Sequence, residues 1–171
     1  RSTSGSGSNG ANAPGVIRVL LDRVCDPEIP TLTIAELGIL RETRLVDDMV
    51  MVVITPTYSG CPAMDEIEFN IKKTLADAGH ETVCVEVQLM PPWSTDWITP
   101  SGREKLRTAG IAPPSPVLFD EWGACERAGR PYCPRCAALD SELISQFGTT
   151  ACKALYRCNS CLEPFEYFKC I

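Results

Sequence analysis

The sequence contains one histidine, His80, and no Glu-x-x-His spacing, so it has no set of residues from which a histidine-bearing di-iron centre could be built. A glycine-rich phosphate loop and a G-x-S-x-G nucleophile elbow are also missing, which removes the usual routes to nucleotide chemistry and serine hydrolysis. A cysteine–histidine nucleophile pair would have to use His80. That residue follows Gly79 at an expected helix end, where capping or solvation is the simpler role. No stretch reaches the roughly 18 uninterrupted apolar residues of a membrane span. Positive charge is scarce too. The chain carries 16 Lys and Arg against 22 Asp and Glu, a net charge of -6, and neither half is basic. Binding to a nucleic-acid backbone needs clustered cations and is therefore excluded as the main task.

What the chain has in quantity is cysteine, ten in all. The first residues, "RSTSGSGSNGANAPG", have no apolar core of the kind a secretion signal carries. Residues 1–13 are expected to be a disordered leader or appended tail, too polar to offset the entropy of ordering. A cytoplasmic location is the expectation, and in that compartment thiols stay reduced and bind metal or react.

The pattern predicts an α+β protein in two parts: a small mixed α/β domain over residues 14–110 and a β domain over 117–171. The proline-rich stretch 111–116, "IAPPSP", is expected to link them. In "GVIRVLLDRV", Val16, Leu20 and Val24 recur every fourth residue and predict an amphipathic helix, which "DPEIP" stops. Met49 to Ile54 reads as a strand buried on both faces, joined to the preceding segment by a hairpin at Asp47–Asp48. If that strand lay at a sheet edge it could pair with a second copy, so a homodimer is possible. Pro62 suits the first position of a helix whose stripe is Met64, Ile67, Ile71 and Leu75 and whose stop is Gly79. "VCVEVQL" alternates, placing Val83, Val85, Val87 and Leu89 on one half-buried face. Ser101 and Glu104 stand in capping-box spacing before a short helix ending at Gly110.

The most specific signal is in the second part. Cys133 and Cys136 form C-P-R-C, Cys158 and Cys161 form C-N-S-C, and twenty-one residues separate the pairs. Each two-residue spacer turns both sulfurs to one side, so four thiolates can meet around one ion, as in a zinc ribbon. Four cysteines can also hold an iron–sulfur cluster, so that alternative stays open. Cys84, Cys125, Cys152 and Cys170 fall outside this set, with packing as their default role.

A fifth candidate is Cys61, in "TPTYSGCPAM". A thiol at a helix start lies near unpaired N–H groups and the positive end of the dipole, which favours the thiolate, while Asp65 and Glu66 in the first turn oppose it. Filling a tight Gly-Cys-Pro corner is an equal reading of the same residues. Asp26 and Glu28 are possible acidic neighbours, although loop carboxylates are commonly solvated.

"DPEIPTLTIAELGIL" with "TPTYSGCP" resembles the SufT-like iron–sulfur assembly domain family. Adding "YCPRC" and "FGTTACKALYRCNSCLEPFEYFKCI" narrows the resemblance to the PaaD (PaaJ) family of accessory subunits of bacterial phenylacetyl-CoA epoxidase. The resemblance implies an assembly-type domain with a C-terminal zinc ribbon. It implies a place in aerobic phenylacetate degradation beside the epoxidase's oxygenase and reductase subunits. The implied role is accessory and not catalytic on its own: maturation of a metal or iron–sulfur centre in those partners, or alternatively a structural or electron-transfer role. It makes Cys61 the reactive family cysteine, Thr57 the threonine of its motif, and Asp26 the aspartate of D-P-E.

Overall fold

A computed structural model describes residues 14–114, 118–119, 125–126 and 130–169. The expected leader, residues 1–13, lies outside the described residues, as does Cys170. Cys125 lies in a short strand, and its side chain is outside the description.

The first part opens with helix α1, Pro14–Leu21. Its buried residues are Ile17 and Leu21, continued by Val24, whereas Val16 is exposed and Leu20 half-buried. Val24 is buried as expected, but the other two positions of the stripe are one residue out of register, because "VIRVLL" offers apolar residues at both settings and packing chooses between them. Strands β1 (Leu40–Val46) and β2 (Met49–Ile54) form an antiparallel hairpin. Asp47 and Asp48 both have positive φ, as a two-residue turn matching strand twist requires. Helix α2 (Ala63–Asp77) then crosses to β3 (Val83–Val87), which pairs parallel to β2. The sheet order is β1-β2-β3, so β2 is central. This removes the route to a homodimer through a free β2 edge. Buried Val50, Val52, Val53 and Ile54 suit the central position, while Met49 and Met51 are half-buried.

Helix α2 follows its sequence signals closely. Ile67, Ile71 and Leu75 are fully buried, each worth about 1.5–3 kcal/mol relative to exposure. Gly79 takes φ +90° just past the helix, where an L side chain would be strained, and its N–H and that of His80 close on Ala76 and Leu75 carbonyls. His80 is buried, not solvated as its position past the helix suggested. Strand β3 departs from expectation: Val83 and Val85 are half-buried, but Val87 and Leu89 are exposed beyond the cover of the helices.

A third helix, α3 (Pro100–Thr108), begins two residues earlier than the Ser101 spacing suggested. Thr99 is its cap, accepting from Gly102 N–H at 3.0 Å, and Pro100 is the first helical residue. Ser101, freed from capping, donates to Glu36 at 2.9 Å, and Lys105 joins the same carboxylate at 2.8 Å. Together these tie α3 to the 33–38 turn.

Ile111–Ala112, the start of the segment read as a linker, form strand β4 and pair with the last strand of the ribbon. A short pair, β5 (Leu118–Phe119) and β6 (Cys125–Glu126), follows. The ribbon sheet is completed by β7 (Ser141–Ser145), β8 (Lys153–Cys158) and β9 (Pro164–Phe168), in the order β4-β9-β8-β7. The two parts share one apolar cluster. Phe168 and Cys152 of the ribbon are buried among α/β-domain residues, Trp93 meets Phe168 at 5.9 Å between ring centroids, and Trp93 Nε1 donates to the Leu37 carbonyl.

Candidate functional site

The four ribbon sulfurs come together. All lie within 4.8 Å of one another, with Cys133–Cys161 at 3.7 Å and Cys136–Cys158 at 3.6 Å. The two knuckles are built alike. Ala137 N–H returns to the Cys133 carbonyl and Leu162 N–H to that of Cys158, both at 2.9 Å, and Ala137 and Leu162 both have positive φ. The second knuckle turns the chain from β8 to β9. A regular tetrahedron with metal–sulfur bonds of about 2.3 Å has sulfur–sulfur edges of about 3.8 Å, which the observed spacing fits. A cluster would place the thiolates on different irons and spread them wider. Cys158 is pulled down to about 6, first by the Cys161 N–H, against burial, with the Ser160 N–H and the Cys136 thiol helping. In the same quartet Cys161 is held up to about 12: the Glu163 N–H favours its thiolate, but burial and the neighbouring sulfurs of Cys158, Cys136 and Cys133 prevail. Four sulfurs at this spacing, with backbone N–H groups turned toward two of them, form a donor set for a cation.

Cys61 is elsewhere, at the head of α2 and beyond the carboxyl end of β2, where ligands of parallel α/β units commonly sit. Its thiol is half-buried and receives the Tyr58 hydroxyl. The helix start does favour the thiolate, through Ala63 N–H, as the sequence implied. Burial outweighs it, however, and together with Glu28 and Asp26 leaves the thiol above the ordinary cysteine value of 9.0. Alkylation requires the thiolate, so iodoacetamide labelling of Cys61 should rise with a midpoint above pH 9 and remain slow at pH 7. Peptide mapping after a pH series checks this; a midpoint below 9 would contradict it.

Asp26 is buried and not solvated. Its Oδ1 accepts from Glu28 N–H and Ile29 N–H, both at 2.8 Å, closing the D-P-E-I turn. Burial raises its pKa despite these two donors. Asp26→Ala should cost about 1–3 kcal/mol in urea unfolding by leaving two N–H groups without their acceptor, whereas Asp26→Asn, which keeps the oxygen, should cost much less. Equal losses would mean that charge, not the turn, is what Asp26 supplies. Thr57 is buried four residues before Cys61.

Two members of this neighbourhood carry no site signal in the sequence reading: Tyr58, and Cys152 of the ribbon. Cys152 Sγ lies 3.6 Å from Glu28 Oε2 and 3.0 Å from Thr150 Oγ1. Tyr58 could have been suspected from its place inside the T-x-x-G-C-P stretch. For Cys152 no local signal exists.

An α/β domain with a thiol at the sheet's carboxyl edge is thus joined to a four-thiol ribbon, the arrangement of a domain that carries a metal ribbon. Residues 16–89 match the family described as "Iron-sulfur cluster assembly protein", and residues 123–169 match the "PaaD zinc beta ribbon domain". The chain is 48% identical over 157 residues to a putative 1,2-phenylacetyl-CoA epoxidase subunit of Escherichia coli (strain K12), covering 91% of this chain and 92% of that protein. It belongs to the PaaD family of phenylacetyl-CoA epoxidase subunits. Among solved structures it is similar to a domain of unknown function (DUF59) from Bacillus anthracis, 26% identical with a TM-score of 0.51, over 54% of this chain and 90% of that one. It is also similar to a conserved hypothetical protein from Thermotoga maritima, 28% identical with a TM-score of 0.45, over 53% and 89%. No helix among the described residues is long and apolar enough to cross a membrane.

Proposed function

We propose that this chain is a maturation factor for the metal centres of phenylacetyl-CoA epoxidase. Cys61 receives iron or an iron–sulfur cluster and passes it to an oxygenase or reductase subunit, with Thr57 and Asp26 shaping the site. The observation that carries this reading is the separation of roles among the cysteines. Four converge on one cation position, while Cys61 stands apart at a helix head, partly open, within the part matching iron–sulfur assembly proteins.

The four ribbon cysteines would hold zinc: Cys133, Cys136, Cys158 and Cys161 supply a sulfur tetrahedron of the right edge length for one ion, which when bound provides a fixed crosslink and no redox chemistry. The ribbon, residues 117–171, then serves as a stapled platform for the assembly-type domain, residues 14–110. All eight cysteines described are free thiols, in keeping with a reducing cytoplasm.

A structural or electron-transfer role remains the second reading, favoured by one observation: Cys61 packs against the apolar core. Co-expression of the epoxidase subunits with Cys61→Ser and with Cys133→Ser variants, followed by iron analysis of the oxygenase and reductase, separates the two. Maturation through Cys61 requires that Cys61→Ser lower partner iron content with the ribbon intact. If partner iron persists there and falls only with Cys133→Ser, the structural reading replaces it.

A further inference from the structure

We propose that the ribbon contributes a second cargo-binding thiol, Cys152, to the site of Cys61, so that an iron–sulfur cluster held at the head of α2 is gripped from both domains. The Glu28 carboxylate, 3.6 Å from Cys152 Sγ, adds an oxygen donor. This rests on the reading of Cys61 as the cargo-binding residue.

Cys152 is an unusual packing residue. It is buried in the shared apolar cluster, yet its sulfur faces polar groups: Glu28 Oε2 at 3.6 Å, from the D-P-E turn of the other domain, and Thr150 Oγ1 at 3.0 Å. A cysteine that only fills space has no need of a carboxylate from another domain. The two thiols also share an electrostatic environment. Glu28 and Asp26 act on both Cys61 and Cys152, and Tyr58, whose hydroxyl reaches Cys61, feels the charge of both sulfurs.

The backbone holds this arrangement firmly. Lys169 N–H donates to the Cys152 carbonyl at 3.0 Å, and the next residue, Lys153, is buried against Glu166 at 3.0 Å. Access comes from the Cys61 side, which is partly open, and from the turn ahead of Cys152, where Thr149 and Ala151 are exposed.

The donor chemistry fits this class of cargo. Among the described residues only the ribbon quartet has three or more donor atoms all within 4.8 Å. Cys61, Cys152 and Glu28 do not form such a set, so the single-ion grouping of the ribbon is not repeated here, and an iron–sulfur cluster is the cargo that the proposed role of Cys61 supplies. Sulfur with one carboxylate oxygen is a donor set that iron accepts. Each thiol binds as the thiolate, releasing one proton to solvent as its iron–sulfur bond forms, and no electron is transferred.

The test uses the full-length chain with zinc supplied to the ribbon, reconstituted anaerobically with ferric iron, dithiothreitol and sulfide. Iron per chain and the rate of iron release to a chelator are measured for the unsubstituted protein and for Cys61→Ser, Cys152→Ser and Glu28→Gln. Release should accelerate about tenfold or more in each cysteine variant, and by less in Glu28→Gln. If Cys61→Ser loses iron while Cys152→Ser matches the unsubstituted chain, the second thiol is refuted and the Cys61 reading stands. If neither variant changes release, or the unsubstituted chain takes up no iron beyond the ribbon, both readings fall. Zinc content and melting temperature report whether Cys152→Ser folds. Where it does not, Glu28→Gln decides, and an unchanged release rate in that variant overturns the proposal.

Discussion

Stripping the metal from the four-thiol site is expected to unfold the ribbon while leaving the α/β domain folded. The ribbon has little else to hold it. Outside the surface shared with the first domain, its own buried apolar cluster is Ala112, Cys133, Cys158 and Phe165, two of which are ligands. A structural zinc supplies about 10–16 kcal/mol of apparent binding free energy to small modules, more than the roughly 2–5 kcal/mol lost on truncating a typical core residue. Cys158→Ser, or a strong chelator, should therefore abolish the ribbon's thermal transition. Ile67, Ile71 and Leu75 continue to give the α/β domain its own. Calorimetry with zinc analysis checks this, and a ribbon that melts unchanged without metal would remove the staple argument. Acid acts in the same direction. Cys161, held up to about 12, must give up its proton to bind, so metal affinity falls as pH falls.

The second large effect is expected at Cys61. Cys61→Ser changes one atom at a half-buried position, so the fold should hold within about 1 kcal/mol. Iron delivery should nevertheless fall by about 10- to 100-fold, because a hydroxyl does not replace a thiolate as a ligand for iron. The paired measurement is the urea midpoint of the variant and the iron content of co-expressed oxygenase and reductase. A stable variant with fully loaded partners would show that Cys61 only fills its corner. An unstable one with poor loading would be a folding defect, which Cys61→Ala, keeping the volume close without the polar group, would reproduce.

How much of this was legible in the sequence depends on the distance over which each feature is decided. The α2 stripe, the Asp47–Asp48 hairpin and the Gly79 stop were readable because each is settled by backbone geometry within a few residues. The setting of α1 was not, since two apolar stripes compete in "VIRVLL" and only the partner surface distinguishes them. The cap of α3 was obscured by the competing Ser101–Glu104 spacing. Thr99 followed by Pro100 gives a cap and a preset φ together, and Glu36, far back in the chain, takes the Ser101 hydroxyl.

By itself the sequence determined that two CxxC turns present four sulfurs and that a cysteine opens α2, because a two-residue spacer or a helix start acts through covalent neighbours alone. Tertiary structure decided the rest. It buried Asp26 and His80, drew β4 out of the linker into the ribbon sheet, and set Cys152 against Glu28. Those outcomes depend on which surfaces of two separate chain segments exclude water together, and no window of local sequence contains that information.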